Sequence, residues 1–162
     1  MKSLVIHIII AHLLTYFLLE YSEFAMTPLN YTLFLAVIYV VLWLLSFVYD
    51  REHFRKVPGL IGLITFFFKE LFVANLRVAW DVITPVHQMS PSVIALPLDA
   101  KTDFEITVLA NMISLTPGTL SIDIASDRKT LFVHNVYTDE GTEEVKSKIK
   151  NGFERKLLKI TR

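Results

Sequence analysis

Residues 29–49 read LNYTLFLAVIYVVLWLLSFVY, and no charged side chain occurs anywhere between Phe24 and Tyr49. About 20 apolar residues cross the hydrocarbon core of a bilayer as one helix, and Pro28 suits a first helical turn. The stretch predicts a transmembrane helix over about residues 28–49. Upstream, residues 3–19 are also uncharged, rich in Ile and Leu, with His7, His12 and Thr15 as polar members. They predict a first span over about residues 3–20, at the short end of the working range. A cleaved signal sequence needs a small-residue cleavage site after its apolar run. Here Glu20-Tyr21-Ser22-Glu23-Phe24 follows instead.

The rest of the 162-residue chain divides from this segment by charge. Residues 1–49 carry only Lys2, Glu20 and Glu23, whereas residues 99–162 hold 10 of the 16 basic and 10 of the 16 acidic side chains. The average, 53% hydrophobic and 20% charged, is shifted from a soluble domain toward the membrane class. A bilayer segment joined to a small water-soluble domain accounts for the asymmetry. The absence of cysteine excludes disulfides, thiol catalysis and cysteine-ligated metal. The net charge of zero opposes a nucleic-acid binder driven by phosphate neutralisation.

Orientation follows from the Lys and Arg residues beside the spans. Lys2 precedes the first, and Arg51, Arg55 and Lys56 follow the second, while the intervening loop carries two acids and no base. Residues 1–56 are thus expected to form a helical hairpin with both basic flanks cytoplasmic.

Residues 57–84 are apolar but interrupted by Lys69, Glu70, Arg77 and Asp81. Central charges cost about 2.5–3.5 kcal/mol each on insertion scales, which disfavours a third span, the competing reading. Glu70, Ala74, Arg77 and Asp81 recur at four, three and four residues and form one polar stripe. That pattern predicts an amphipathic helix in the cytoplasmic interface, or packed against a partner there.

Residues 85–162 read as a cytoplasmic α/β domain of order β-α-β-β-α, entered through a linker, Val86 to Ser90, between Pro85 and Pro91. A strand runs over residues 92–98. Thr102-Asp103-Phe104-Glu105 is a capping box ahead of a helix that Pro117-Gly118 stops. Leu120, Ile122 and Ile124 alternate with polar residues, the period of a half-buried strand. Ser126-Asp127-Arg128-Lys129 turns into another strand over residues 130–137. Val145, Ile149, Phe153 and Leu157 recur every four residues in a final amphipathic helix. The first two strands are expected parallel, with a right-handed crossover, and the hairpin adds an antiparallel neighbour. The expected core is Phe104, Leu109, Ile122, Val133, Ile149 and Phe153.

Chemistry-bearing motifs are absent: no glycine-rich phosphate loop, nucleophile elbow or metal-spaced His/acid cluster occurs. No catalytic, cofactor-binding or metal-ligating residue is assigned, and no cofactor is implied. His7 and His12, five apart, diverge by about 140° around a helix and suit packing against neighbouring helices, with a proton relay as the competing reading. Lys69 and Glu70 point in different directions. Glu70, Arg77 and Asp81 suit a contact with another subunit. Thr116-Pro117-Gly118-Thr119 reads as a helix stop, and His134 as a surface residue. Lys146, Lys148, Lys150, Arg155, Lys156 and Lys159 are offset by Glu143, Glu144 and Glu154, as on a solvated face.

Three segments carry a resemblance: Asn75-Leu76-Arg77-Val78-Ala79-Trp80-Asp81-Val82; Ala110-Asn111-Met112-Ile113-Ser114-Leu115-Thr116-Pro117-Gly118-Thr119-Leu120-Ser121-Ile122-Asp123; and Leu131-Phe132-Val133-His134. In this layout the chain resembles the E-type subunit of the Mrp-type (Mnh) multisubunit sodium/proton antiporter of bacteria. The resemblance implies a non-catalytic accessory subunit in the bacterial cell membrane, partnered by other antiporter subunits and the lipid bilayer, not by nucleic acid. It implies a part in complex assembly or activity, sodium efflux and pH homeostasis. It carries over no catalytic residue. A membrane-tethered binding or regulatory module independent of transport is the alternative from another class.

Overall fold

The computed structural model describes residues 2–84, 89–137 and 141–162; the expected linker residues 85–88 lie outside these. The chain divides into two compact units, Met1–Pro58 and Gly59–Arg162.

In the first unit, α1 (Lys2–Glu20) and α2 (Pro28–Tyr49) form the helical hairpin. Thr27 caps α2 by accepting the Asn30 N–H at 3.2 Å, with Pro28 at the first position. His7, Ala11, Thr15 and Leu19 are the buried residues of α1. They recur every four positions, so one face with two small side chains lets helices approach closely. The Thr15 hydroxyl donates to the Ala11 carbonyl at 2.7 Å, so its burial leaves no open donor.

A third helix, α3 (Arg51–Ile83), starts directly after Asp50. Asp50 Oδ1 accepts the His53 N–H at 3.0 Å, the role of a capping acid. Pro58 lies inside this helix. It has no N–H to offer the carbonyl four residues earlier, on Phe54. The Trp43 indole N–H, from α2, donates to that carbonyl at 3.1 Å, and the Trp43 and Phe54 rings stack at 5.0 Å. An aromatic donor on the neighbouring helix thus replaces the backbone donor that proline lacks. By length and composition α2 and α3 could each cross a bilayer, and residues Leu4–Glu20 form a shorter apolar helix.

The second unit contains α3 from Gly59 onward, β1 (Ser92–Pro97), α4 (Asp103–Leu115), β2 (Thr119–Ile124), β3 (Thr130–Asn135), α5 (Thr142–Ile149), a π-turn (Lys150–Glu154) and α6 (Arg155–Thr161). The capping box forms as expected: Thr102 Oγ1 accepts the Glu105 N–H and Glu105 Oε2 accepts the Thr102 N–H, both at 3.2 Å. The order of strands corrects the sequence expectation. β3 lies between the other two and pairs antiparallel with both. β1 and β2 do run in the same direction, but the crossover through α4 leaves a vacant position between them, and the tight turn at 126–129 returns β3 into it. The most regularly apolar strand therefore takes the centre, burying Leu131 and Val133. Pro97 and the β2 irregularity between Ser121 and Asp123 fall on edges, where a missing donor or a bulge is tolerated.

A second correction concerns the face of β2. Leu120 and Ile122 are exposed, each at 53%. Ser121 instead faces α4, donating its hydroxyl to the Ala110 carbonyl while its N–H is accepted by Ser114 Oγ, both at 3.0 Å. Serines let helix and strand approach where an apolar pair was expected. Phe104, in the first turn of α4, is likewise exposed, so it and Ile122 leave the expected core.

Leu109, Val133, Ile149 and Phe153 are core as read, joined by Leu63, Leu96, Ile113, Leu131 and Leu157. Leu63, with Phe66 and Phe67 packed beside it, comes from α3. The Phe66 and Phe67 rings meet Phe153 at 5.1 and 6.4 Å. The π-turn has a sequence cause. An α-helix rotates a strict four-residue repeat by about 40° per step. Widening the helix at Lys150–Glu154 keeps Ile149, Phe153 and Leu157 all inward.

Candidate functional site

The polar residues singled out in the sequence fall at three places. In the hairpin, His7 is buried and His12 is not. His12 Nδ1 lies 2.9 Å from the Ile8 carbonyl oxygen and its ring is 6.2 Å from Tyr31. His7 Nε2 lies 2.7 Å from Tyr49 Oη, and its ring stacks on His53 at 3.9 Å. The two histidines thus have separate neighbours, as their spacing requires.

On α3, the Arg77 guanidinium sits 4.1 Å above the ring of Tyr137. A cation over a partly desolvated aromatic face contributes roughly 0.5–2 kcal/mol. The contact is within the chain, a partner the stripe reading did not include. Glu70 lies 3.8 Å from an exposed Lys69, so the adjacent pair does meet, weakly. Asp81 is 3% exposed, and its Oδ2 has no hydrogen-bond partner among the described residues.

Tyr137 also joins the third place, the segment Thr116–Thr119. Thr116 Oγ1 donates to the Met112 carbonyl at 3.0 Å. Thr119 Oγ1 lies 2.8 Å from the Thr116 carbonyl and 2.5 Å from that of Ile113. These bonds satisfy carbonyls left open at the end of α4. Gly118 has φ of +87°, and a Cβ there would stand 2.8 Å from Tyr137 Cε2. Its carbonyl accepts the Val136 N–H at 2.8 Å. Tyr137 itself is 8% exposed, its backbone held by Asn135 through bonds of 2.7 and 3.3 Å. Arg77, Tyr137 and Gly118 therefore stack in one column, which brings two of the three resembling segments together.

Behind the sheet lies a charged network. Glu154, 1% exposed, accepts the Asp99 and Ala100 N–H groups on Oε1 at 2.6 and 2.9 Å. Its Oε2 faces Lys150 Nζ at 2.6 Å, and Lys150 also reaches Asp99 at 2.6 Å. Burial alone would lower the Lys150 ammonium, but bonds to the two carboxylates outweigh it and the group is raised. The Asp99 carboxyl is correspondingly lowered by its bond from Lys150. The Glu105 carboxyl is held at about 2, chiefly by the Lys101 N–H, with Thr161, Arg162 and the Thr102 N–H adding to it against the opposing effect of burial. Thr161 donates to Glu105 Oε1 at 2.7 Å. The two acids thus clamp the β1–α4 connection and the end of α6.

Residues 9–160 match the family described as Na+/H+ ion antiporter subunit. The chain belongs to this family. It is 36% identical over 125 residues to the E-type Na+/H+ antiporter subunit of Alkalihalophilus pseudofirmus, covering 77% of this chain and 78% of that one. It is 33% identical over 128 residues to the corresponding subunit of Bacillus subtilis, covering 75% and 80%. A chain of the membrane-bound sulfane sulfur reductase, an archaeal respiratory membrane complex, shares the fold with a TM-score of 0.53 at 21% identity, over 94% of this chain and 95% of that one. The likeness to the E-type antiporter subunits seen in the sequence is thereby confirmed.

As an antiporter subunit the chain is a component of a membrane transporter. Among the described residues no group of three or more His, Asp or Glu side chains is placed to hold a metal ion. Sequence reasoning missed His53, Tyr137 and Glu154. Glu154 was assigned to a solvated face with its charged neighbours, and the structure buries it. The helical spacing from Lys150 to Glu154 is the one local signal that pairs them. His53 and Tyr137 carry no such signal, because each acts across elements distant in sequence.

Proposed function

We propose that this chain is a non-catalytic subunit of a multisubunit Na+/H+ antiporter, required for assembly or activity of the partner subunits that carry the ions. The helical hairpin anchors it, α3 lies in the membrane interface, and the α/β domain is cytoplasmic.

The observation that carries this reading is the double use of α3. From Gly59 to Arg77 one side of the helix is occupied by its own domain: Gly59 by Ile160, Leu63, Phe66 and Phe67 by the core, Arg77 by Tyr137. That length is about 27 Å at 1.5 Å per residue, nearly a bilayer core. Were this part of α3 to span, Lys156, which lies 5.1 Å from the Phe66 ring, and the charged helix around it would enter hydrocarbon. The other side exposes Ile61, Ile64, Phe68, Phe72, Leu76 and Trp80, an apolar surface suited to the boundary of headgroups and acyl chains or to the apolar flank of a partner. The Lys and Arg flanks favour the cytoplasmic side for it. The hairpin's few buried ionisable groups cannot by themselves build a coupled ion path.

Affinity purification of the tagged chain in mild detergent tests the assignment. Co-elution with several very hydrophobic subunits, and loss of sodium tolerance when the chain is deleted, are expected. A stable, monodisperse lone chain with unchanged sodium tolerance on deletion would refute it.

A further inference from the structure

The joint between α2 and α3 encloses two imidazoles face to face. His7 of α1 and His53 of α3 stack with centroids 3.9 Å apart and planes 14° from parallel. Both are more than nine-tenths buried. His7 Nε2 is engaged with Tyr49 Oη at 2.7 Å, and the rings of these two residues are nearly parallel. Among the described residues His53 Nε2 is enclosed without a hydrogen-bond partner, while its backbone N–H is fixed to Asp50.

A buried polar nitrogen with no partner is costly and calls for an explanation. In the tautomer with hydrogen on Nδ1, His53 Nε2 is an unused base. A proton taken up there creates an imidazolium stacked on the His7 ring. A second proton on His7 would put two like charges at stacking distance in a site shielded from water, which disfavours it. Such a pair titrates as a unit. We propose that His7 and His53 form a binding site for a single proton, through which the contact of α1 with the start of α3 responds to pH. Among the described residues, the other titratable and charged groups facing it are Tyr49 from α2 and the Asp50 carboxylate at the joint. Burial and the neighbouring His7 weaken proton uptake at His53, and the Asp50 carboxylate opposes them. Glu52 and Lys56 pair with one another on the exposed side of α3. The chain thereby carries a proton-linked contact of its own, separate from any path in partner subunits.

Histidine-selective 15N labelling of the full-length chain in lipid nanodiscs reads the site directly, with His12, His87 and His134 identified by single glutamine substitutions. Between about pH 5 and pH 8, the window in which imidazoles exchange protons, His7 and His53 should move together and take up one proton in total. His53→Phe keeps a ring stacked on His7 but removes the base. In that variant the helical circular dichroism should be unchanged, and the His7 midpoint should shift by at least about half a pH unit, as expected of a group freed from a coupled neighbour. Three results would overturn the proposal: two protons taken up at independent midpoints, no uptake by either ring, or a His7 midpoint identical in wild type and His53→Phe.

Discussion

Replacing Gly118 by alanine perturbs the column of Gly118, Tyr137 and Arg77 at its most constrained point. The backbone there has φ of +87°, a region in which a side chain costs about 1–3 kcal/mol. The new methyl would also stand 2.8 and 3.0 Å from two atoms of the Tyr137 ring. The ring is buried and lies beneath Arg77, so it cannot yield without disturbing α3. Overpacking of this kind costs about 1–3 kcal/mol. Loss of glycine's freedom in the unfolded chain returns about 0.4–1 kcal/mol. The net expectation is a loss of about 2–4 kcal/mol, or a fall in Tm on the order of 10–20 °C for a unit of this size. Thermal unfolding of the full-length chain in mild detergent measures it. In a Tyr137→Leu background the overlap disappears, and Gly118→Ala should cost only the backbone strain less the same unfolded-state return, about 0–2.5 kcal/mol. A fall of less than about 4 °C in the single variant, or an equal cost in both backgrounds, would refute the account.

Glu105, held at about 2 in the fold against an ordinary value near 4.5, binds protons less readily folded than unfolded. Its stabilisation is complete above the ordinary carboxylate range and is lost as pH falls from about 4.5 toward 2. Denaturant midpoints of the wild-type chain should therefore drop across that window, and Glu105→Gln should flatten the drop; parallel slopes would contradict it. Trp43→Phe removes the donor that serves the Phe54 carbonyl, leaving an unpaired group worth about 1–3 kcal/mol. In a Pro58→Ala background, where the helix supplies its own donor, the same change should cost measurably less, and an additive double-mutant cycle would exclude the substitution of donors. Single cysteines at Ser22 and Ser147 in this cysteine-free chain should react with an impermeant thiol reagent from outside the cell and only after lysis, respectively. External labelling of Ser147 would make α3 a third span.

Local chemistry is what could be read without coordinates. The charge-free run gave the hairpin helices, Thr102 and Glu105 the start of α4, and Pro117-Gly118 its end. Where two elements meet, the sequence is less informative. The alternation of Leu120, Ile122 and Ile124 signals a strand, but which face turns inward was decided by serine contacts with α4. Strand order depended on the vacancy left by the β1–α4–β2 crossover, a property of the assembled sheet. Arg77 was legible as a polar residue on an apolar helix, but its partner Tyr137 lies 60 positions away. Glu154 looked like one acid among many bases until the fold gave it two backbone amides.

The seating of Phe66 and Phe67 against Phe153 sets an order of events during synthesis. The aromatic pair leaves the ribosome about 90 residues before the ring that will cover it. At 5–20 residues per second the interval is roughly 4–18 s, long compared with hydrophobic collapse. Over that interval α3 has its apolar side available and its own domain unfinished. On the proposed topology a lipid surface would hold the helix meanwhile, and insertion of the hairpin would precede closure of the domain. A fragment beginning after α3 would lack Leu63, Phe66 and Phe67 altogether, and its C-terminal helix would lose that part of the core it closes upon.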